Sequence, residues 1–266
     1  MIALYYAKSV IRNRSLFFWG IAFMGFWLFM GAFLFGYVPS GYTFDLDYTS
    51  TWFSIIALFS ISTIGTTVAY SLYYANSSLN FAFRFTGLGI RDFMISIISA
   101  VITASFLLGS IMLALSAALF SIRSGRLVLP AMPYYSILAS ISGGIIMFSI
   151  SGCMTVIVNN FFTLKNINFL SLFTTILSYI FGFSQISVAL PVWMIYGNPF
   201  SEIVDLLYFS YSGADPHQVL TNSSSPFLSL TYLSAGLILW IGFLCVIFIS
   251  LIPGLRPVPV EEARQI

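Results

Sequence analysis

Six stretches of this chain each run for 22 residues or more without one charged side chain: roughly Leu16 to Tyr37, Trp52 to Tyr74, Phe93 to Ile122, Pro133 to Val158, Phe169 to Leu190 and Phe227 to Ile252. A helix needs about 20 apolar residues to cross ~30 Å of hydrocarbon, so each run is long enough to span a bilayer. Strict apolar–polar alternation over short segments is absent, and the runs exceed what a barrel strand uses, which favours helices over a transmembrane barrel. The expected architecture is an all-α bundle of six transmembrane helices.

Composition agrees with this reading. Of 266 residues 59% are hydrophobic and only 7% charged, against roughly a quarter charged in a soluble domain. Too few charges are present to solvate a globular surface or to sustain a disordered chain. A formal charge of +2 gives no phosphate-tracking face, so nucleic acid is not an expected partner. Cys153 and Cys245 both sit inside apolar runs and form no metal-site spacing or disulfide framework. The first apolar run lacks a small-x-small cleavage signal and reads as a retained span.

The basic residues set the expected orientation, because Lys and Arg in short loops stay on the cytoplasmic side. With both termini inside, Lys8, Arg12, Arg14, Arg84, Arg91, Lys165, Arg256 and Arg264 are cytoplasmic, leaving Arg123 and Arg126 outside. Asp45, Asp47, Glu202, Asp205 and Asp215 then fall on the outer side. A multi-pass protein of the plasma membrane is expected.

The segments between the spans are unequal. Residues Met1 to Ser15 place Lys8 and Arg12 four apart, beside Ile2, Tyr5, Tyr6 and Val10, which suits an amphipathic helix at the inner interface; a plain basic flank is the simpler alternative. Ala75 to Asp92 is too long for a turn and too polar for lipid. Phe81, Phe85 and Leu88 recur there at helical spacing while Arg84 and Arg91 stay exposed. This predicts a short helix, a turn at Thr86-Gly87-Leu88-Gly89 and re-entry at Ile90, a protrusion able to dock a cytoplasmic partner. A solvated loop carrying topogenic charge is the alternative. On the outer side, Asn198 and Pro199 give a cap and first turn ahead of Phe200, Ile203, Val204, Leu207 and Tyr208. Glu202 and Asp205 interrupt that pattern, predicting a short amphipathic helix or hairpin dipping into the outer leaflet. Ser212 to Pro226 then has loop chemistry.

Several chemistries are excluded. Lys8 follows Ala7 and Lys165 follows Leu164, so no Gly-Lys dipeptide and no P-loop exists, and the chain is not an ATPase or other enzyme by its own means. His217 is the only histidine, too few for a zinc site. Ser184 in Gly182-Phe183-Ser184-Gln185 lacks a membrane histidine or lysine to activate it. Ser105 with Gly109, Ser110 with Ala114 and Ser140 with Gly144 form small-xxx-small pairs that predict close helix contact. None of the six spans carries an ionisable residue of the kind that ion-coupled transporters use, which lowers that reading.

With these elements placed, the chain resembles the membrane (permease) subunit of the type-2 ATP-binding-cassette exporters. The likeness lies in length, six spans, a basic interfacial N-terminal helix, an inner protrusion between spans two and three, and a membrane-associated outer segment between spans five and six. Members commonly carry a Gly-x-x-Glu-like stretch and a Pro-containing turn after the second span; Arg84-Phe85-Thr86-Gly87-Leu88-Gly89-Ile90-Arg91-Asp92 has the glycines without the Glu or the Pro. The resemblance implies a second copy of this chain or a related permease, membrane lipid around the bundle, and a separate nucleotide-binding ATPase. No cofactor is expected in this chain, ATP and magnesium residing on that partner. Arg84, Thr86, Gly87, Arg91 and Asp92 would meet the ATPase, with Lys165 as a secondary contact. Trp27, Tyr70, Tyr73 and Tyr179 are candidates to line a substrate path, their rings joining apolar bulk to a polar tip; an aromatic belt at the interfaces is the competing account. An uncharged path suits an amphipathic or lipid-like cargo, a drug, peptide or glycolipid. A polysaccharide exporter, an ion-coupled transporter and a non-transporting scaffold are the alternatives.

Overall fold

The computed structural model describes residues 13–35, 42–85, 89–161, 172–222 and 224–251, with backbone alone described at 42–45, 73–85, 90 and 159–161. The described part is helical: α1 (Arg14–Phe33), α2 (Tyr42–Phe85), α3 (Ile90–Ser124), α4 (Pro133–Phe161), α5 (Phe173–Ser187), α6 (Val192–Tyr196), α7 (Pro199–Ser212) and α8 (Leu230–Leu251). Among the described residues five helices are long and apolar enough to cross a membrane: Arg14–Phe33, Leu46–Leu72, Arg91–Ser124, Pro133–Val158 and Leu230–Leu251. The expected fifth span is narrower than its apolar run. α5 has 15 residues, about 22 Å of helix, because the chain leaves helical geometry at Val188 (φ −108°, ψ 124°) just before Pro191; the start of that run, 169–171, lies outside the described residues.

Cap chemistry explains several boundaries. The Asn13 side chain accepts from Ser15 N at 2.9 Å and opens α1. Gly125 ends α3 in the left-handed region at φ 64°, a conformation only glycine adopts without strain. The helix α2 has 44 residues, about 66 Å, more than twice the hydrocarbon thickness, so it is longer than a single crossing requires.

Successive long helices run in opposite directions. Gly31 lies against Trp52 and Gly20 against Thr63 where α1 meets α2, and the Ser60 hydroxyl donates to Gly20 O at 2.6 Å. Gly20 sits in a six-residue π-helical stretch, Phe18–Phe23, within α1; such a stretch leaves carbonyls short of their usual partners. The expected small-residue contacts form between α3 and α4. A Cβ on Gly144 would run into Ser105 Oγ, and one on Gly109 would run into Ser140, so these backbones approach as closely as they do because no side chain intervenes. Buried Phe53, Ile56, Leu58, Ile61, Ile64, Met147, Phe148 and Phe248 fill the centre.

Candidate functional site

The helix α7 is the least expected element. Twelve of its 14 residues are buried, and it packs against α2, α4, α5 and α8. The predicted cap and first turn are in place: Asn198 Oδ1 accepts from Phe200 N at 3.1 Å and Pro199 takes the first helical position. Its polar side is not turned to solvent or headgroups as a surface amphipathic helix would turn it: polar and apolar faces alike are enclosed by neighbouring helices. With α6 it makes a helical hairpin, the other expectation for this segment.

Contacts along α7 fix its path. Its C-terminal end is bonded to the α3–α4 connection, where Ala131 N donates to Tyr211 O and Met132 N to Ser210 O, both at 2.9 Å. The Ser136 and Ser210 hydroxyls meet at 2.7 Å and Tyr211 OH donates to Val128 O at 3.0 Å. Toward its N-terminus, Ile203 lies over Gly143, ten residues into α4 and hence ~15 Å from that helix's start. Phe200 stacks on Phe181 of α5 with ring centroids 6.0 Å apart. The chain therefore ascends along α5, turns at Val188–Pro191, descends through α6, and returns to the same end of the bundle through α7.

This path carries two carboxylates into the bundle. Glu202 and Asp205 both have no exposed surface, and their spacing of three places them near one another on the helix. Gln185 of α5, also fully buried, donates from Nε2 to Asp205 Oδ2 at 3.2 Å. Gln185 Oε1, Asp205 Oδ1 and both Glu202 oxygens have no hydrogen-bond partner. Glu202 Oε1 occupies the place a side chain at position 236 would take, so Gly236 of α8 is what gives it room. The elements packed on α7 within this depth bring no cation: α4, α5, α6 and α8 contain no Lys, Arg or His, and in α2 the only one is Arg84 near its far end. Near the outer turn of α7, Tyr208 OH donates to Asp47 Oδ1 at 3.3 Å. Chemically, the cluster is a set of hard oxygen acceptors lacking positive charge. Among the described residues no three His, Cys, Asp or Glu side chains gather as a metal site would need.

Beside this cluster a groove of about 410 Å³ opens between α4, α7 and α8, lined among others by Tyr135, Ala139, Ser142, Leu206, Phe209 and Leu237. Its walls are mainly apolar, with the hydroxyls of Ser142, Thr231 and Ser234 at intervals.

Of the residues expected to meet an ATPase, Arg84, Arg91 and Asp92 fall at one end of the bundle, around the α2–α3 connection. Arg91 and Asp92 are exposed on the first turn of α3. Arg84 is on the last turn of α2 with its side chain outside the described residues; Thr86, Gly87 and Lys165 lie outside them altogether. The candidate path residues stand on α1, α2 and α5. Trp27 is half-buried on α1 with Phe23 and Phe26 as ring neighbours. Tyr70 is half-buried on α2, and the Tyr73 side chain is outside the described residues. Tyr179 is 58% exposed on α5, stacked on Phe59 at 5.8 Å and tilted against Phe183 at 4.8 Å. His217 is half-buried, its Nδ1 2.9 Å from Ser225 O and its ring 4.3 Å from that of Phe227.

The sequence reading missed Gln185, Glu202 and Asp205 as a buried group. A signal was present: Pro199–Ser212 carries two carboxylates, no basic residue and an otherwise largely apolar composition, a poor surface helix. No family model matches the chain, and no curated protein or solved structure shows a significant likeness to it.

Proposed function

We propose that the chain is the membrane subunit of an ATP-driven exporter of the type-2 ATP-binding-cassette class, working with a separate nucleotide-binding ATPase and a second copy of itself or a related permease. The observation that carries this reading is the re-entrant pair α6 and α7 between α5 and the last long helix, the layout that this class places on its outer side. The long helix α2 adds support. It continues to Phe85, and α3 begins at Ile90, so Arg84, Arg91 and Asp92 stand at the tip of one helical hairpin, where a docking protein would meet them.

In this reading α5, together with the residues before it, makes the fifth of six crossings, both termini are cytoplasmic, and the bundle sits in the plasma membrane. The bundle interior is packed, so a path for cargo runs along the outside of each copy, between two of them. Exposed Tyr179, Ile176 and Ile180 on α5 then belong to its wall. Such a wall, free of charge, suits an amphipathic or lipid-like cargo.

The buried Glu202 and Asp205 favour one second reading, transport coupled to an ion. Carboxylates at membrane depth commonly bind the ion that drives a transporter.

The test is purification of the tagged full chain from membranes in mild detergent, with identification of what accompanies it and an ATPase assay. A P-loop ATPase recovered at equal stoichiometry, with ATP hydrolysis, is the expected result. A chain that purifies alone without ATPase activity overturns the exporter reading and leaves the ion-coupled one.

A further inference from the structure

We propose that Asp205 and Gln185, with Glu202 one turn earlier, form a proton-binding site in the bundle core, and that its protons hold α7 in place. The argument begins with atoms left over. Gln185 Nε2 donates to Asp205 Oδ2 at 3.2 Å. The oxygens bonded to the same carbons, Gln185 Oε1 and Asp205 Oδ1, are both buried and both without a partner. Two acceptors beside an existing amide–carboxyl bond lack one particle, and a proton on Oδ1 supplies it. It turns a single bond into the paired ring in which acid O–H meets amide C=O and amide N–H meets acid C=O. The proton comes from water, and one negative charge disappears from a site that burial makes expensive.

Glu202 extends the site. Neither of its oxygens has a partner, and its Oε1 presses toward the backbone of Gly236, with Tyr196 O beside the same spot. A second proton there removes the remaining charge and gives the acid a donor that can reach a neighbouring carbonyl.

The helices packed on α7 offer no neutralising group, and His217, in the loop whose Leu220 N donates to Gln185 O, lies toward Asp47 on the outer turn. Among the described residues packed against α7, the titratable side chains of α2 are Asp47, bonded to Tyr208 on the outer turn, and tyrosines; α4 brings Tyr135, beside Phe209, and Cys153, against Leu244 O. α5 and α6 bring Tyr179 and Tyr196, and α8 brings Tyr232 and Cys245. None carries positive charge. Asp45 and Arg84 belong to α2 with side chains outside the described residues.

The sign of the effect follows. An unfolded chain releases these protons above about pH 4, whereas the folded bundle retains them. Stability therefore falls as pH rises from mildly acidic values until the site itself ionises, by up to about tenfold in the unfolding equilibrium per pH unit for each proton retained. This inference is independent of the exporter reading, because its test uses the full chain alone in lipid nanodiscs and no ATPase.

Thermal unfolding is measured across pH for the native chain, Asp205→Asn and Glu202→Gln, which imitate the neutral acids. The native melting temperature is expected to fall with rising pH, and each substitution to remove about one proton's share of the slope while keeping neutral-pH stability. Infrared spectra of the native chain supply a readout that needs no variant. A protonated-carboxyl C=O band is expected at neutral pH. Its absence overturns the proposal, as does a pH slope that Asp205→Asn leaves unchanged. Stabilisation by sodium at constant pH that vanishes in Asp205→Asn also overturns it, in favour of an alkali-cation site.

Discussion

Gln185 of α5 holds Asp205 of α7 through a single 3.2 Å hydrogen bond from Nε2 to Oδ2, joining the end of one ascending helix to the middle of the returning arm of the α6–α7 pair. Gln185→Leu takes away the only donor that Asp205 has among these contacts. The loss of a buried hydrogen bond with one partner left behind is expected to cost about 1–3 kcal/mol. Thermal or denaturant unfolding in nanodiscs reads it, and an unchanged midpoint would mean that α7 is seated by apolar packing alone.

Gly236 and Glu202 compete for one space. Gly236→Ala puts a methyl group where Glu202 Oε1 lies, and overpacking of this kind costs typically about 1–3 kcal/mol. Glu202→Ala vacates the space, so the double variant is expected to lose less than the sum of the two single variants. Additive losses would separate the two positions.

The crossing of α3 and α4 depends on a missing side chain. Gly144→Val drives its Cβ into Ser105 and adds a stiff branched side chain at the contact. A loss of about 2 kcal/mol or more is expected. Gly242 on α8 has nothing within 4 Å of a built Cβ, so Gly242→Ala is the control that should leave the melting temperature within a degree or two.

How much of this was readable in the sequence depends on how local each feature is. Runs free of charge mark α1 to α4 and α8 because membrane solvation acts residue by residue. The Asn198-Pro199 start of α7 is readable for the same reason: a cap is a matter of adjacent residues. The small-residue contact of Gly144 with Ser105 was indicated by a four-residue spacing. The fate of Glu202 and Asp205 was not readable from such rules. Two carboxylates interrupting an apolar pattern read as the polar side of a short amphipathic helix at the outer leaflet, and only the enclosure of α7 by helices brought together from distant parts of the chain turns them inward. The α5 boundary failed differently, since Val188 and Pro191 end the helix inside a run that hydropathy alone treats as continuous.

If Arg84 and Arg91 dock an ATPase, replacing both with Glu reverses the charge they bring to the α2–α3 hairpin. Recovery of the ATPase with the tagged chain is expected to drop at least several-fold, more so at low ionic strength, where exposed charges are least screened. Undiminished recovery would remove that hairpin from the docking surface.

Every functional reading above rests on the chain entering the bundle through α6 and returning through α7 to the face it came from. The direct measurement is labelling of single cysteines by a membrane-impermeant thiol reagent in intact cells, in a chain whose Cys153 and Cys245 have been replaced by alanine. Ser187 and Asp215 are exposed on either side of the re-entrant segment, and Arg91 is exposed at the opposite end. The account predicts that Ser187→Cys and Asp215→Cys are both labelled from outside, and Arg91→Cys only after lysis. Labelling of Ser187→Cys and Asp215→Cys from opposite sides would make the segment between them a full crossing and contradict the fold on which the proposed function stands.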